Sequence, residues 1–248
     1  LEDGICWKRL QTKDMQLRSS ISGNIYNHGQ GVDQDSSAAM KWYRMAADQG
    51  DAQAQYNLGF MYEDGQGVTQ DYSAAMKWYR MAADQGDAEA QCNLGFMYEN
   101  GQGMAQDYSA ARKWCRMAAD QGLAEAQFNL GSMYYEGQVV AQDYPAAMKW
   151  YRMAADQGNA KAQYILGIMY EDGKGVPQNT SQALRWLYKA QVQGDEEAKQ
   201  GIELIMQAMR ETRASQQTNN SSMPPPSASP IPIGTRIWSF MASRQSLD

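Results

Sequence analysis

The chain has 248 residues, of which 28 are acidic and 22 basic, for a net charge of −6 with 43% hydrophobic residues. That balance speaks against general nucleic-acid binding, which needs a basic surface to displace counterions, and against docking on anionic lipid. No apolar run approaches the roughly 20 residues of a membrane-spanning helix. Three cysteines make no disulfide framework. The chain starts LEDGICWKRL, with neither Met nor an apolar leader core, so no signal peptide is visible and no compartment is assigned.

A fixed period organises the chain. Trp42, Trp78, Trp114, Trp150 and Trp186 stand 36 residues apart, and so do Gly50, Gly86, Gly122, Gly158 and Gly194. Self-similarity of this kind marks stacked repeats, each burying its apolar face on its neighbours. Residues 1–34 read as a degraded first copy. Gly23, Tyr26, Gly29 and Gly31 keep the period, but Arg18, Ser20 and Ser22 stand where Ala54, Tyr56 and Leu58 stand one repeat later. Polar residues there are expected to stay out of the core, giving a fraying cap or the edge of a longer array.

Residues 35–194 form the array proper. In the unit that begins at Ala52, Asp51 precedes the first helix and can cap it, as Asp87, Asn159 and Asp195 can in later copies; Leu123 cannot. Ala54, Leu58, Met61 and Tyr62 recur at helical spacing and predict one apolar stripe. Gly59 interrupts the helix, where Gly costs about 1 kcal/mol relative to Ala. Its return at Gly95, Gly131 and Gly167 predicts a partner helix too close for a Cβ. Gly65 ends the helix, and Asp71 caps the second one. Arg80 and Asp84 lie four apart there, as do Arg44 with Asp48, Arg116 with Asp120 and Arg152 with Asp156. The methionine ladders Met45, Met81, Met117, Met153 and Met61, Met97, Met133, Met169 are read as core filling. Residues 195–213 predict a capping helix with Ile202, Ile205, Met206 and Met209 on one side. Residues 214–248 turn to Ser, Gln, Asn and Pro and read as a disordered linker followed by an unassigned tail.

The motif A-x-A-x-Y-x-L-G-x-x-Y-x-x-G-x-G-V, followed by D-Y-x-x-A-x-x-W-Y-x-x-A-A-x-x-G, closely resembles the Sel1-like repeat family, relatives of tetratricopeptide repeats. Residues 52–194 carry four copies and residues 23–51 a partial one. The resemblance implies an all-α fold, a right-handed superhelical solenoid of antiparallel helical hairpins. It also implies a non-enzymatic scaffold or adaptor for protein complexes, one setting being a degradation complex of the endoplasmic reticulum. A cysteine-rich branch binds or cleaves β-lactams; its paired Cys stand where this chain has Gln91 and Ala119.

Catalysis should lie in departures from the repeat, since repeat-borne residues occur several times. The departures His28, Cys92, Cys115, Leu123, Val139 and Ile165 offer no Ser/His/Asp set and no metal cluster. No cofactor is expected. His28 reads as a solvated loop residue. Gly173-Lys174-Gly175 reads as a turn, and Val139 is expected to bend its loop differently. Glu63 with Asp64 and Glu171 with Asp172 read as a solvated acidic rim. Cys92 and Cys115 replace two large residues within one unit, at positions that fall roughly opposite across the hairpin. A disulfide between them needs an oxidising compartment; two buried thiols is the favoured state.

One face of the first helices suggests binding. Gln53, Tyr56, Asn57 and Phe60 share it, and the period adds Glu89, Asn93 and Phe96, then Glu125, Asn129 and Ser132, then Lys161, Ile165 and Ile168. Such faces line the inner curve of stacked-helix arrays, and an Asn side chain can both donate to and accept from a peptide backbone. A protein or peptide partner is therefore expected. The alternative is that the Asn side chains tie neighbouring helices together and Phe60 packs between units; the residues alone do not choose.

Overall fold

The computed structural model describes residues 2–137 and 140–219, with side chains from 14 to 137 and from 140 to 216. Among them are eleven α-helices and no strand: α1 (Glu2–His28), α2 (Ser36–Ala47), α3 (Ala52–Asp64), α4 (Tyr72–Asp84), α5 (Ala88–Asn100), α6 (Tyr108–Asp120), α7 (Ala124–Glu136), α8 (Tyr144–Asp156), α9 (Ala160–Asp172), α10 (Thr180–Val192) and α11 (Glu196–Asn219). They fall into two compact units that divide between Ala126 and Gln127, inside α7. The fold is all-α and built of paired helices. Val139, the expected linker beyond Asn219 and the tail lie outside the described residues.

The caps form where the sequence places acceptors. Asp51, Asp87, Asn159 and Asp195 each accept from a backbone N–H three residues on, at 2.7–2.9 Å. Asp35, Asp71, Asp107 and Asp143 do the same for the second helices at 2.9–3.0 Å. Gly65, Gly101 and Gly173 close first helices in the left-handed conformation, with φ of 70°, 67° and 70°. A Cβ on Gly59 would lie 2.6 Å from the ring of Tyr79, which is fully buried on the partner helix α4. On Gly95 it would meet the backbone of α6, Ala111 O at 3.1 Å and Cys115 N at 3.2 Å. The close crossing read from the recurring glycine is present.

Polar ties join the helices. Gln55 is buried; its Nε2 donates to Ala47 O at the end of α2, at 3.1 Å. Its Oε1 accepts from Gln85 Nε2, past the end of α4, at 2.7 Å. Gln91 repeats this with Ala83 O at 3.1 Å and Gln121 at 2.8 Å. In the second unit Gln163 bonds Ala155 O at 3.0 Å and accepts from Gln193 at 2.8 Å. Cations stack on the next tryptophan of the period: Arg44 over Trp78 at 4.8 Å, Arg80 over Trp114 at 4.9 Å and, in the second unit, Arg152 over Trp186 at 4.9 Å.

Four expectations need correction. The first methionine ladder, Met45, Met81, Met117 and Met153, is exposed, while Met61, Met97, Met133 and Met169 are buried. Met81 lies two residues after buried Tyr79 and one before buried Ala82, about 100° off the stripe that they share. Ser19 and Ser20 in α1 are buried, because a small hydroxyl fits where a long polar chain would not. The ion pairs Arg44–Asp48, Arg80–Asp84 and Arg116–Asp120 form at 3.4, 3.6 and 2.9 Å, but Arg152 donates to Tyr170 Oη at 2.6 Å instead of meeting Asp156. Finally, α11 runs to Asn219, past the expected end at Arg213. Ala214 and the two Gln that follow Ser215 suit a helix, and Ser215 Oγ donates back to Glu211 O at 2.9 Å.

The substitution Gly59→Ala is expected to destabilise the chain by about 1–3 kcal/mol, since Tyr79 is packed on all sides and cannot move away from the added methyl. Urea unfolding checks this, and an unchanged midpoint would contradict the close crossing.

Candidate functional site on the first-helix face

Within the first unit, α3 and α5 carry the predicted face on consecutive repeats. Phe60 and Phe96 are 38% and 49% exposed, unlike the buried Leu58 and Leu94 two residues before them. Gln53, Glu89 and Glu125 are exposed, and Asn57 and Asn93 half-buried. Gln53 Nε2 donates to Asn57 Oδ1 at 3.4 Å. Asn93 lies close to the hydroxyls of Tyr56 and Tyr79, on the side of α5 that meets the preceding hairpin. Burial pushes the Tyr56 hydroxyl up to about 12, and the negative charges of Glu89, Asp87 and Glu125 add to that. The face in this unit therefore offers two apolar rings in a negative field.

In the second unit Asn129 is half-buried and Lys161 exposed. Ser132 is spent on its own surroundings: Oγ donates to Phe128 O at 3.2 Å and accepts from Tyr151 Oη at 3.0 Å. Ile168 is buried against α11 residues Ile202 and Ile205, in the cluster that also holds Leu187. The structure thus brings Phe60, Phe96, Glu89 and Glu125 to a surface, and turns Asn93 toward Tyr56 and Tyr79 and Ser132 toward Phe128 and Tyr151.

Cys92 and Cys115 are both buried and not joined in a disulfide. They occupy the positions where Tyr56 faces Tyr79 with ring centres 5.7 Å apart and Phe128 faces Tyr151 at 5.6 Å. Cys115 Sγ donates to Ala126 O at 3.3 Å. Burial, then the neighbouring Cys92 and Glu99, push the Cys115 thiol up, so it stays protonated and a poor nucleophile.

Of the expected acidic rim, Asp64 is exposed, whereas Glu63, Glu171 and Asp172 are engaged or buried. Glu63 Oε2 accepts from Tyr79 Oη at 2.6 Å. Glu171 is buried, and Asp172 pairs with Lys174 at 3.4 Å. Lys174 also donates to Tyr135 Oη at 2.8 Å, so the Gly173-Lys174-Gly175 turn spends its cation on a repeat contact. His28 ends α1, exposed, with Nδ1 2.9 Å from Asn24 O. Among the described residues no cluster of His, Cys, Asp or Glu could hold a metal ion, and no helix is long and apolar enough to cross a membrane.

The buried glutamines were missed from sequence. Their signal was present: Gln55, Gln91, Gln127 and Gln163 recur beside buried alanines, where a polar residue has no reason to stay unless it is bonded.

The "Sel1 repeat" family profile matches residues 22–51, 52–87, 88–123, 124–159 and 160–190, and the chain belongs to that family. Among solved structures it is similar to a Sel1 repeat protein from Oxalobacter formigenes, at 37% identity and TM-score 0.71 over 74% of this chain and 75% of that one. It is also similar to c5321, a protective antigen of uropathogenic Escherichia coli strains displaying an SLR fold. Identity there is 36% and TM-score 0.73, over 78% of this chain and 42% of that one. Comparison with curated proteins returned no match.

With Cys6 replaced by Ser, folded protein is expected to leave both remaining thiols unreactive toward Ellman's reagent until it unfolds. Prompt reaction in the folded state would contradict their burial, and no reaction after unfolding without reductant would reveal a disulfide.

Proposed function

We propose that this chain works by binding, not catalysis, and that it holds a protein or peptide segment against the first-helix face with Phe60 and Phe96 as apolar anchors. The supporting observation is that two large rings at equivalent positions of α3 and α5 are exposed, while Leu58, Met61, Leu94 and Met97 on the same two helices are buried. Exposed aromatic groups on a rigid scaffold are the usual carriers of binding energy. Glu89 and Glu125 set the preference: a segment with apolar side chains and neutral or basic flanks fits, and an acidic one is repelled. The net charge of −6 disfavours nucleic acid in the same way.

The third repeat supplies its own control, because Ser132 already stands at the phenylalanine position without breaking its helix. The double variant F60S/F96S is therefore expected to keep its helicity and unfolding midpoint. Peptides selected from a random library on the unaltered chain should bind it roughly tenfold or more weakly. Undiminished binding by the folded variant would reject this face as the site.

A further inference from the structure

A second site lies away from that face, in the last hairpin and its cap. Glu63 and Glu171 hold the same place in the repeat. The first is satisfied by the Tyr79 hydroxyl at 2.6 Å. In the last repeat the position of Tyr79 is taken by Leu187, which has no donor. Glu171 is only 3% exposed, and its Oε2 is buried with no hydrogen-bond partner. Hydrogen bonding from Thr180 and Gln178 offsets part of the cost, yet burial still holds this carboxyl above its ordinary range. A buried carboxylate oxygen without a donor is costly and calls for a partner.

A cleft of about 510 Å³ lies against this residue, between α9, the start of α10 and α11. That is the size of a small-molecule or side-chain pocket. Its α11 wall is apolar along Ile205, Ala208 and Met209, and Arg213 stands one turn further on. The wall accepts an unbranched hydrocarbon chain, and the carboxylate end asks for a cationic N–H donor. Arg213 disfavours a second cation at the far end.

We infer that the cleft beside Glu171 binds an alkylammonium group, a single protonated amine on a short apolar chain, from a free amine or from a lysine side chain of a partner. The ammonium takes the place of the tyrosine hydroxyl that the earlier repeat supplies, and the methylenes lie on Ile205 and Met209.

The test uses the full chain with three probes followed by ligand-observed NMR: n-pentylamine, ε-aminocaproate and Nα-acetyl-lysine amide. Binding that E171Q weakens by roughly tenfold, the worth of a charge-assisted hydrogen bond, supports the site. Binding of the acetylated lysine amide assigns it to a lysine side chain, and binding of the first two alone assigns it to a free amine. M209K provides a second check at an exposed position: it supplies an ammonium from the chain itself and should block the probes with Glu171 untouched. Absence of binding by all three probes, or equal binding by folded E171Q, overturns the proposal.

Discussion

The fold depends on a buried glutamine in the first helix of each full repeat, α3, α5, α7 and α9. An amide that is all but sealed from water must find both a donor and an acceptor partner or lose stability. Gln55 and Gln91 find theirs in two different helices, the carbonyl at the end of the preceding one and the glutamine that closes the following one. Each side chain therefore spaces three helices at once. Apolar packing alone is non-directional and tolerates sliding; a two-ended hydrogen bond does not. This gives the repeat a fixed pitch and explains why a polar residue persists between alanines.

The arginine–tryptophan stacks work alongside it on the second helices. Arg80 covers Trp114 while its guanidinium also bonds Tyr98 at 3.0 Å, so one side chain reaches two later helices. With the second helices tied through rings and the first helices through amides, the surface left over on α3 and α5 carries Phe60 and Phe96. The final repeat departs from the scheme. Leu187 and Ile168 bury against α11, and Glu171, whose counterpart Glu63 is held by a tyrosine, lines a cleft there.

Much of this was readable in the residues. The spacing of Trp and Gly gave the hairpins, Asp51 and Asp71 their starts, Gly65 their ends and Gly59 the crossing. Three things were hidden. Periodicity shows that Met81 and Met97 repeat alike but not which faces a neighbour; the angle from Tyr79 and Ala82 decides it. The burial of Glu171 depends on α11, a helix that has lost the repeat residues, so no copy of the unit foretells it. Asn93 lies close to the hydroxyls of Tyr56 and Tyr79 on the preceding hairpin, a proximity that spacing within one helix does not reveal. The fold was thus legible, while the residues alone left open whether Phe60 packs between units; it and Phe96 are exposed, and Ser132 is bonded to Phe128 and Tyr151.

The most direct measurement is a double-mutant cycle on Gln91 and Gln121, with each replaced by Ala singly and together and stability read by urea unfolding. If the buried amide pair fixes the pitch, the two residues couple by about 0.5–3 kcal/mol, the double variant losing less than the sum of the single ones. Additive losses would show that the pair is incidental and that apolar packing alone sets the repeat.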